Sequence, residues 1–202
     1  MFVTFEGPEG AGKSTAIRGL ASALEANGHQ VFVTREPGAG SFGTKIRALL
    51  LEEGDVVPEA ELLLFLADRA NHVETMIRPA LAEGKIVLCD RHADSSVVYQ
   101  GYARGVDIDF LKRGNAFATK GLKPDLTLLF DLDPSVGLSR ISEGRDNNRL
   151  DREPLAFHKK VRDGFLDLAS QEPARWVTLD ATKAPDALCA DALSEILSRL
   201  GS

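Results

Sequence analysis

A lysine and a hydroxyl set side by side behind a run of glycines can hold a chain of phosphates. Gly7-Pro8-Glu9-Gly10-Ala11-Gly12-Lys13-Ser14 has the spacing G-x-x-x-x-G-K-[ST] of the Walker A phosphate loop. Its glycines let backbone N–H groups turn toward one point, and the helix that follows adds the positive end of its dipole. Lys13 brings a mobile positive charge for the outer phosphates and Ser14 a hydroxyl for Mg²⁺. The expected ATP-binding segment runs from Gly7 and Pro8 through Glu9, Gly10, Ala11, Gly12, Lys13 and Ser14 to Thr15.

Three further groups carry chemistry. Asp90 closes the apolar run Lys85-Ile86-Val87-Leu88-Cys89-Asp90. An acid at the end of a buried parallel strand can hold Mg²⁺ or its waters, or it can cap the next helix. Arg91 follows at once, where a guanidinium fork suits a phosphate. Arg140, Arg145, Arg149 and Arg152 fall within thirteen residues of an otherwise acidic chain. That polar, glycine-containing stretch, about 140–152, reads as a mobile lid or as a solvated charged loop. Phe65 and Arg69 stand four apart and share a helix face, which on spacing alone suggests a core aromatic and a rim ion-pair partner.

The elements that must position these groups alternate along the chain. Phe2–Glu6 is β-prone and leads into the loop; apolar residues at 17, 20, 21 and 24 then mark one face of a helix. Further strands are expected at 30–35, 85–90, 126–131 and 176–180. A long helix is expected from Glu59 to about Arg78 with a buried stripe of Leu62, Leu63, Phe65, Leu66, Ala70 and Val73. Asp94 and Asp107 read as helix caps. Strands alternating with helices dictate a parallel sheet with right-handed crossovers. The fold class is therefore α/β, a three-layer phosphate-loop NTPase fold with a five-stranded parallel sheet, residues 1–202 forming one domain.

Composition agrees. The chain has 202 residues, 44% hydrophobic and 27% charged, as a globular domain with a full core would. Its net charge of −6 argues against a duplex nucleic acid partner. Cys89 and Cys189 lie in apolar surroundings without metal-ligand spacing, which suits a reduced, cytoplasmic protein. The opening strand leaves no place for a signal peptide, and no apolar run reaches the ~20 residues that span a bilayer.

Neither D-x-x-G nor N-K-x-D is present, which excludes the GTPases, and no L-S-G-G-Q signature marks a transporter ATPase. A small kinase remains. FEGPEGAGKST, TREPGAG, KIRALLL, FLADRANHV, DRHADSSVVYQG, KPDLTLLFDLDP and NRLDREPLAFHKKVRDGF occur in that order along nearly the whole chain. In this the sequence resembles the bacterial thymidylate kinases. Ala39 interrupts the glycines usual after Pro37, a small departure within one loop.

The resemblance implies ATP and dTMP as substrates, Mg²⁺ with the ATP, and a homodimer. It recasts the long helix, placing Phe65 on the thymine ring and Arg69 at its edge. It sets Ser96 and Gln100 at the base and Tyr99 against the 2′ position of the sugar. Arg35, Arg47 and Arg91 would gather on the acceptor phosphate, with Glu9 taking a hydrogen bond from the 3′-hydroxyl. Some family members carry an arginine inside the loop; here Gly10 stands after Glu9, so Arg145, Arg149 and Arg152 of the lid would supply that charge, and Arg140 would pack beside adenine. A kinase for another pyrimidine monophosphate or for a deoxynucleoside, and a nucleotide-binding regulator, are the alternatives.

Overall fold

The computed structural model describes residues 1–51, 56–144 and 149–201. Five parallel strands, β1 (Phe2–Glu6), β2 (Val31–Arg35), β3 (Ile86–Asp90), β4 (Leu126–Asp131) and β5 (Trp176–Asp180), lie in the order β2-β3-β1-β4-β5. All five fall within a residue of their expected places.

Alternation along the strands separates the layers. Val3 and Phe5 of β1, Ile86 and Leu88 of β3, and Leu126, Leu128 and Phe130 of β4 pack with Leu20 and Leu24 of α1 (Lys13–Ala26) and Ile196 of α9 (Pro185–Leu200). Their neighbours point the other way. Phe2, Val87 and Cys89 pack on Val73 and Ile77, while Leu129 and Trp176 meet Val161, Phe165 and Leu168 of α8 (Leu155–Gln171). The sheet is thus a middle layer between two layers of helices. The chain winds to one side of β1 for β3 and β2, and to the other for β4 and β5. The loop after β1 therefore opens over the crevice where such sheets bind ligands.

α2 (Gly40–Leu51) and α3 (Pro58–His72) cross above that crevice. The long helix does not stop near Arg78. Its hydrogen bonding widens to a π turn over Val73–Ile77 and resumes as α4 (Arg78–Ala82). Pro79 then sits in a first turn, where its missing N–H costs no helical bond. The expected apolar stripe is also corrected. Glu61, Leu62, Asp68, Arg69 and His72 are the buried residues of α3, while Leu63 is 60% exposed. This face borders a polar cavity, so Glu61, Asp68, Arg69 and His72 turn inward beside Leu62 and Val73, which are buried as expected.

α5 (Ala93–Ser96) runs into a π turn, Val97–Ala103, and then α6 (Ile108–Thr119). Asp107 caps α6 through the Phe110 N–H, as expected. Asp94 does not cap α5. His92 holds that position, and Asp94 instead pairs in a fork with Arg175, at 2.7 and 3.1 Å. α7 (Pro134–Gly144) and a 3₁₀ turn (Leu150–Arg152) flank residues 145–148, so the expected lid arginine Arg145 lies outside the described residues.

Candidate active site

The phosphate loop follows from β1 and α1. Gly12 adopts a left-handed conformation and its carbonyl starts α1, receiving the N–H of Ala16 at 3.0 Å. Gly10 and Gly137 approach until an added Cβ on either would stand 2.1 Å from a backbone oxygen of the other segment, that of Gly137 in α7 or of Glu9 in the loop. That contact locks α7 onto the loop and leaves no space for a side chain at position 10. Lys13 is buried and docked, not mobile as expected. Its Nζ donates to the carbonyls of Gly7 (2.9 Å) and Pro8 (2.7 Å). Burial and the nearby Arg91 charge lower its pKa to about 8. Ser14 Oγ donates to Asp90 Oδ2 at 2.8 Å, joining loop to strand end.

Beside the loop, β3 ends and the chain turns sharply at Arg91, whose φ of 66° is unusual for any residue but glycine. The turn is held by the Arg91 N–H on the Phe5 carbonyl and the His92 N–H on Glu6 Oε1, at 3.0 and 2.8 Å. It aims the Arg91 guanidinium over the Tyr99 ring, with Nη2 on Glu9 Oε1 at 3.0 Å. Tyr99 donates to the same oxygen. Burial opposes charge on Glu9, but Arg91, His158, Lys13 and Tyr99 prevail and bring its pKa to about 2. Its Oε2 accepts no hydrogen bond of good geometry among the described residues; His158 Nδ1 stands 3.5 Å away, at the limit of contact.

The opposite wall is a buried polar network centred on Arg69, which is 1% exposed. Nε donates to Glu36 (2.9 Å), Nη1 to Ser96 (3.0 Å) and Asn115 (2.7 Å), and Nη2 to the His92 carbonyl (3.1 Å). A guanidinium has five N–H groups, so one on Nη2 is left for the cavity. Glu36 also accepts from His72 and His92, each at 2.9 Å. Burial raises its pKa, but His92 and Arg69 outweigh that and hold it well below the usual carboxylate range. Asp68 receives the Gly38 N–H at 3.1 Å, and Arg47 Nη1 donates to the Pro37 carbonyl at 2.9 Å; these two contacts shape the loop after β2.

Loop and network face each other across one cavity of about 1020 Å³. Its wall includes Glu9, Gly10, Ala11, Gly12, Lys13, Ser14 and Thr15 at one end, and Arg35, Arg47, Phe65, Arg69, Ser96 and Gln100 at the other. Asp90, Arg91 and Tyr99 also line it, as do Arg149 and Arg152. Gly7 and Pro8 lie behind the wall, giving their carbonyls to Lys13. Arg140 lies outside it, within 3.4 Å of the carbonyls of Gly10 and Ala181. Arg149 donates to the Leu50 carbonyl and to Glu61. Glu36, His92 and Ser95 also line the cavity, and Glu6, Glu61, Asn115 and His158 support it from behind. Sequence reasoning missed all seven. For Glu6, Glu36, Glu61, His92 and His158 the one signal is an acid or histidine inside a stretch that otherwise reads as strand end or core helix; Ser95 and Asn115 carry none.

A phosphate loop at one end of a cavity, with arginines and a flat aromatic lining the other, is the arrangement of a phosphate-loop phosphotransferase. The chain matches the thymidylate kinase family model over residues 5–191. It is 50% identical to a thymidylate kinase of Nitratidesulfovibrio vulgaris, covering 100% of this chain and 94% of that one. With one of Deinococcus radiodurans the identity is 47%, over 98% and 97%. The crystal structure of a thymidylate kinase from Ehrlichia chaffeensis superposes with a TM-score of 0.81 at 31% identity, covering 97% of this chain and 98% of that one. This chain belongs to the thymidylate kinase family and is thus a nucleoside monophosphate kinase.

Proposed function

We propose that this chain moves the γ-phosphoryl of ATP to dTMP, giving ADP and dTDP, with the residues of the cavity in the following roles. The observation that carries this is the single cavity joining the phosphate loop to the Phe65–Arg69 wall. A nucleotide sensor would need only the first of these. ATP lies with its phosphates in the loop from Gly7 to Thr15 and its adenine beside Arg140. Phe65 stacks on thymine, the remaining Arg69 N–H donates to a ring carbonyl, and Ser96 and Gln100 complete the base edge. Tyr99 stands against the 2′ carbon. The unoccupied lone pairs of Glu9 Oε2 suit the 3′-hydroxyl.

The acceptor is a phosphate whose second pKa is about 6, so it is largely a dianion at neutral pH and no general base is required. Catalysis is then positioning and charge neutralisation for an in-line transfer. Arg35, Arg47 and Arg91 hold the acceptor phosphate. Lys13 holds the donor, and Arg91 reaches both. Arg145, Arg149 and Arg152 of the lid, about 140–152, come over the phosphates last and exclude water. Ser14 and Asp90 form an all-oxygen pair beside the loop, a donor set that fits Mg²⁺, with Asp90 acting through water. With ATP bound, that ion would neutralise charge on the phosphate oxygens.

The whole chain acts as one kinase domain in the cytoplasm, where its two cysteines stay free. Among the described residues no helix is long and apolar enough to cross a membrane. It pairs as a homodimer through the outer face of α3 and α6, where Leu63, Phe110 and Phe117 are 60%, 46% and 86% exposed. The test is ADP release with MgATP against dTMP, dUMP, dCMP, dGMP, UMP, AMP and thymidine. The expected result is that dTMP dominates and thymidine is inert. Another preferred monophosphate would overturn the base pocket and leave the phosphate clamp standing.

A further inference from the structure

Glu61 is fully buried in α3 and does not reach the cavity, yet three donors converge on it. Oε1 accepts from Gln100 Nε2 at 2.7 Å and from Arg104 Nε at 2.9 Å, and Oε2 accepts from Arg149. Arg104 also donates to Glu153 at 2.9 Å, so the segment from Arg149 to Glu153 is tied at both ends to this one carboxylate. Two guanidinium groups offset its buried charge.

An ionised carboxylate can only accept hydrogen bonds. The Gln100 amide must therefore turn its NH₂ toward Glu61, which leaves its carbonyl Oε1 for the cavity. That oxygen accepts no hydrogen bond from any described residue. Behind the pocket, Arg69 is fixed in the same way by Glu36 and Asn115, and what it offers the cavity is a donor. The edge facing a bound base thus reads donor at Arg69 and acceptor at Gln100. A pyrimidine of the thymine or uracil type presents a ring carbonyl beside an N–H at position 3 and matches it. Cytosine presents an amino group beside a bare ring nitrogen and meets like with like at both places.

We infer that Glu61 is the positioning residue that sets the hydrogen-bonding polarity of Gln100, and through it selects pyrimidines with an N–H at ring position 3. This rests on the thymidylate reading of the pocket. In a Glu61→Gln variant the neighbour of Gln100 carries both a donor and an acceptor, so the Gln100 amide is free to turn over. A site built to pair a substrate hydrogen bond discriminates strongly, because a mismatch leaves buried polar groups unpaired.

The experiment measures kcat/KM for dTMP, dUMP and dCMP in wild type and Glu61→Gln. The expected result is a dTMP-to-dCMP ratio reduced by at least about 10-fold, with the dTMP-to-dUMP ratio unchanged, because both of those bases carry the N–H. Discrimination is reduced without being inverted, since the Arg69 donor still opposes the cytosine amino group. Loosened packing alone would lower all three substrates together and leave both ratios alone, and that outcome overturns the inference. If Glu61→Gln does not fold, Glu61→Asp carries the test, keeping the charge between the two guanidinium groups while withdrawing it from Gln100; a wild-type dTMP-to-dCMP ratio there also overturns it. A wild type that does not prefer dTMP to dCMP would instead mean that the thymidylate reading of the pocket has failed.

Discussion

The phosphate loop holds its buried cation with its own chain: Lys13 bonds the carbonyls of Gly7 and Pro8, six and five residues away. The opposite wall holds Arg69 with groups from three separate segments: Glu36 after β2, His92 and Ser96 at the two ends of α5, and Asn115 in α6. One end of the cavity is made of backbone and the other of buried side chains. A backbone site is a local property of one strand, one turn and one helix. A side-chain site exists only when the whole sheet is assembled, and it carries unpaired charge if an ionic member is lost. The two ends should therefore fail differently, one in rate and the other in stability.

The largest effect is expected at the acceptor wall. Glu36→Ala leaves Arg69, His72 and His92 buried without their anion. Removing one partner of a buried ionic network costs roughly 3–5 kcal/mol. The expected outcome is a melting temperature lowered by many degrees in the ligand-free protein, read by circular dichroism. A wild-type melt would mean that water or rearrangement satisfies the network, and the proposed division between the two ends would fall.

Next comes the phosphate end, where the loss is kinetic. Lys13→Ala or Arg91→Ala is expected to lower kcat by at least about 100-fold, in the range that removal of one transition-state charge contact produces. Melting should move far less than in Glu36→Ala, since the loop keeps its backbone and its glycine contact with α7. Normal turnover in Arg91→Ala would break the account of phosphoryl transfer.

The same contrast explains what could be seen from sequence. The phosphate loop, the five strands and the strand-end pair Asp90–Arg91 were legible because each depends on neighbours in the chain. Arg69 on spacing alone looked like a rim residue, and its burial shows only when Glu36, on a distant strand end, folds against it. Glu61 was hidden for the same reason, an acid in an apolar helix whose partners lie 39, 43 and 88 residues away. Leu63 failed in the opposite sense, because helical periodicity marks an apolar face without saying whether the protein's own core covers it.

The smallest effect sharpens the comparison through pH. Glu6, at the end of β1, and Glu36, just past β2, are both buried, but their surroundings differ in sign. Burial and the Asp94 charge raise the Glu6 pKa from 4.5 to about 7, against the pull of Arg91 and Ser95. Its folded pKa lies above its unfolded one, so its contribution to stability is complete below pH 4.5 and is lost as pH rises through 7. Glu36 is the reverse: its depressed folded pKa gives stability above the unfolded value that is lost in acid. Glu6→Gln removes the first titration only. Relative to wild type it should gain about 2 kcal/mol between pH 5 and pH 8 by denaturant unfolding, after allowing about a unit of error in the shift. A gain that is flat with pH would mean that the Arg91 charge keeps Glu6 ionised throughout, and that burial does not set its titration.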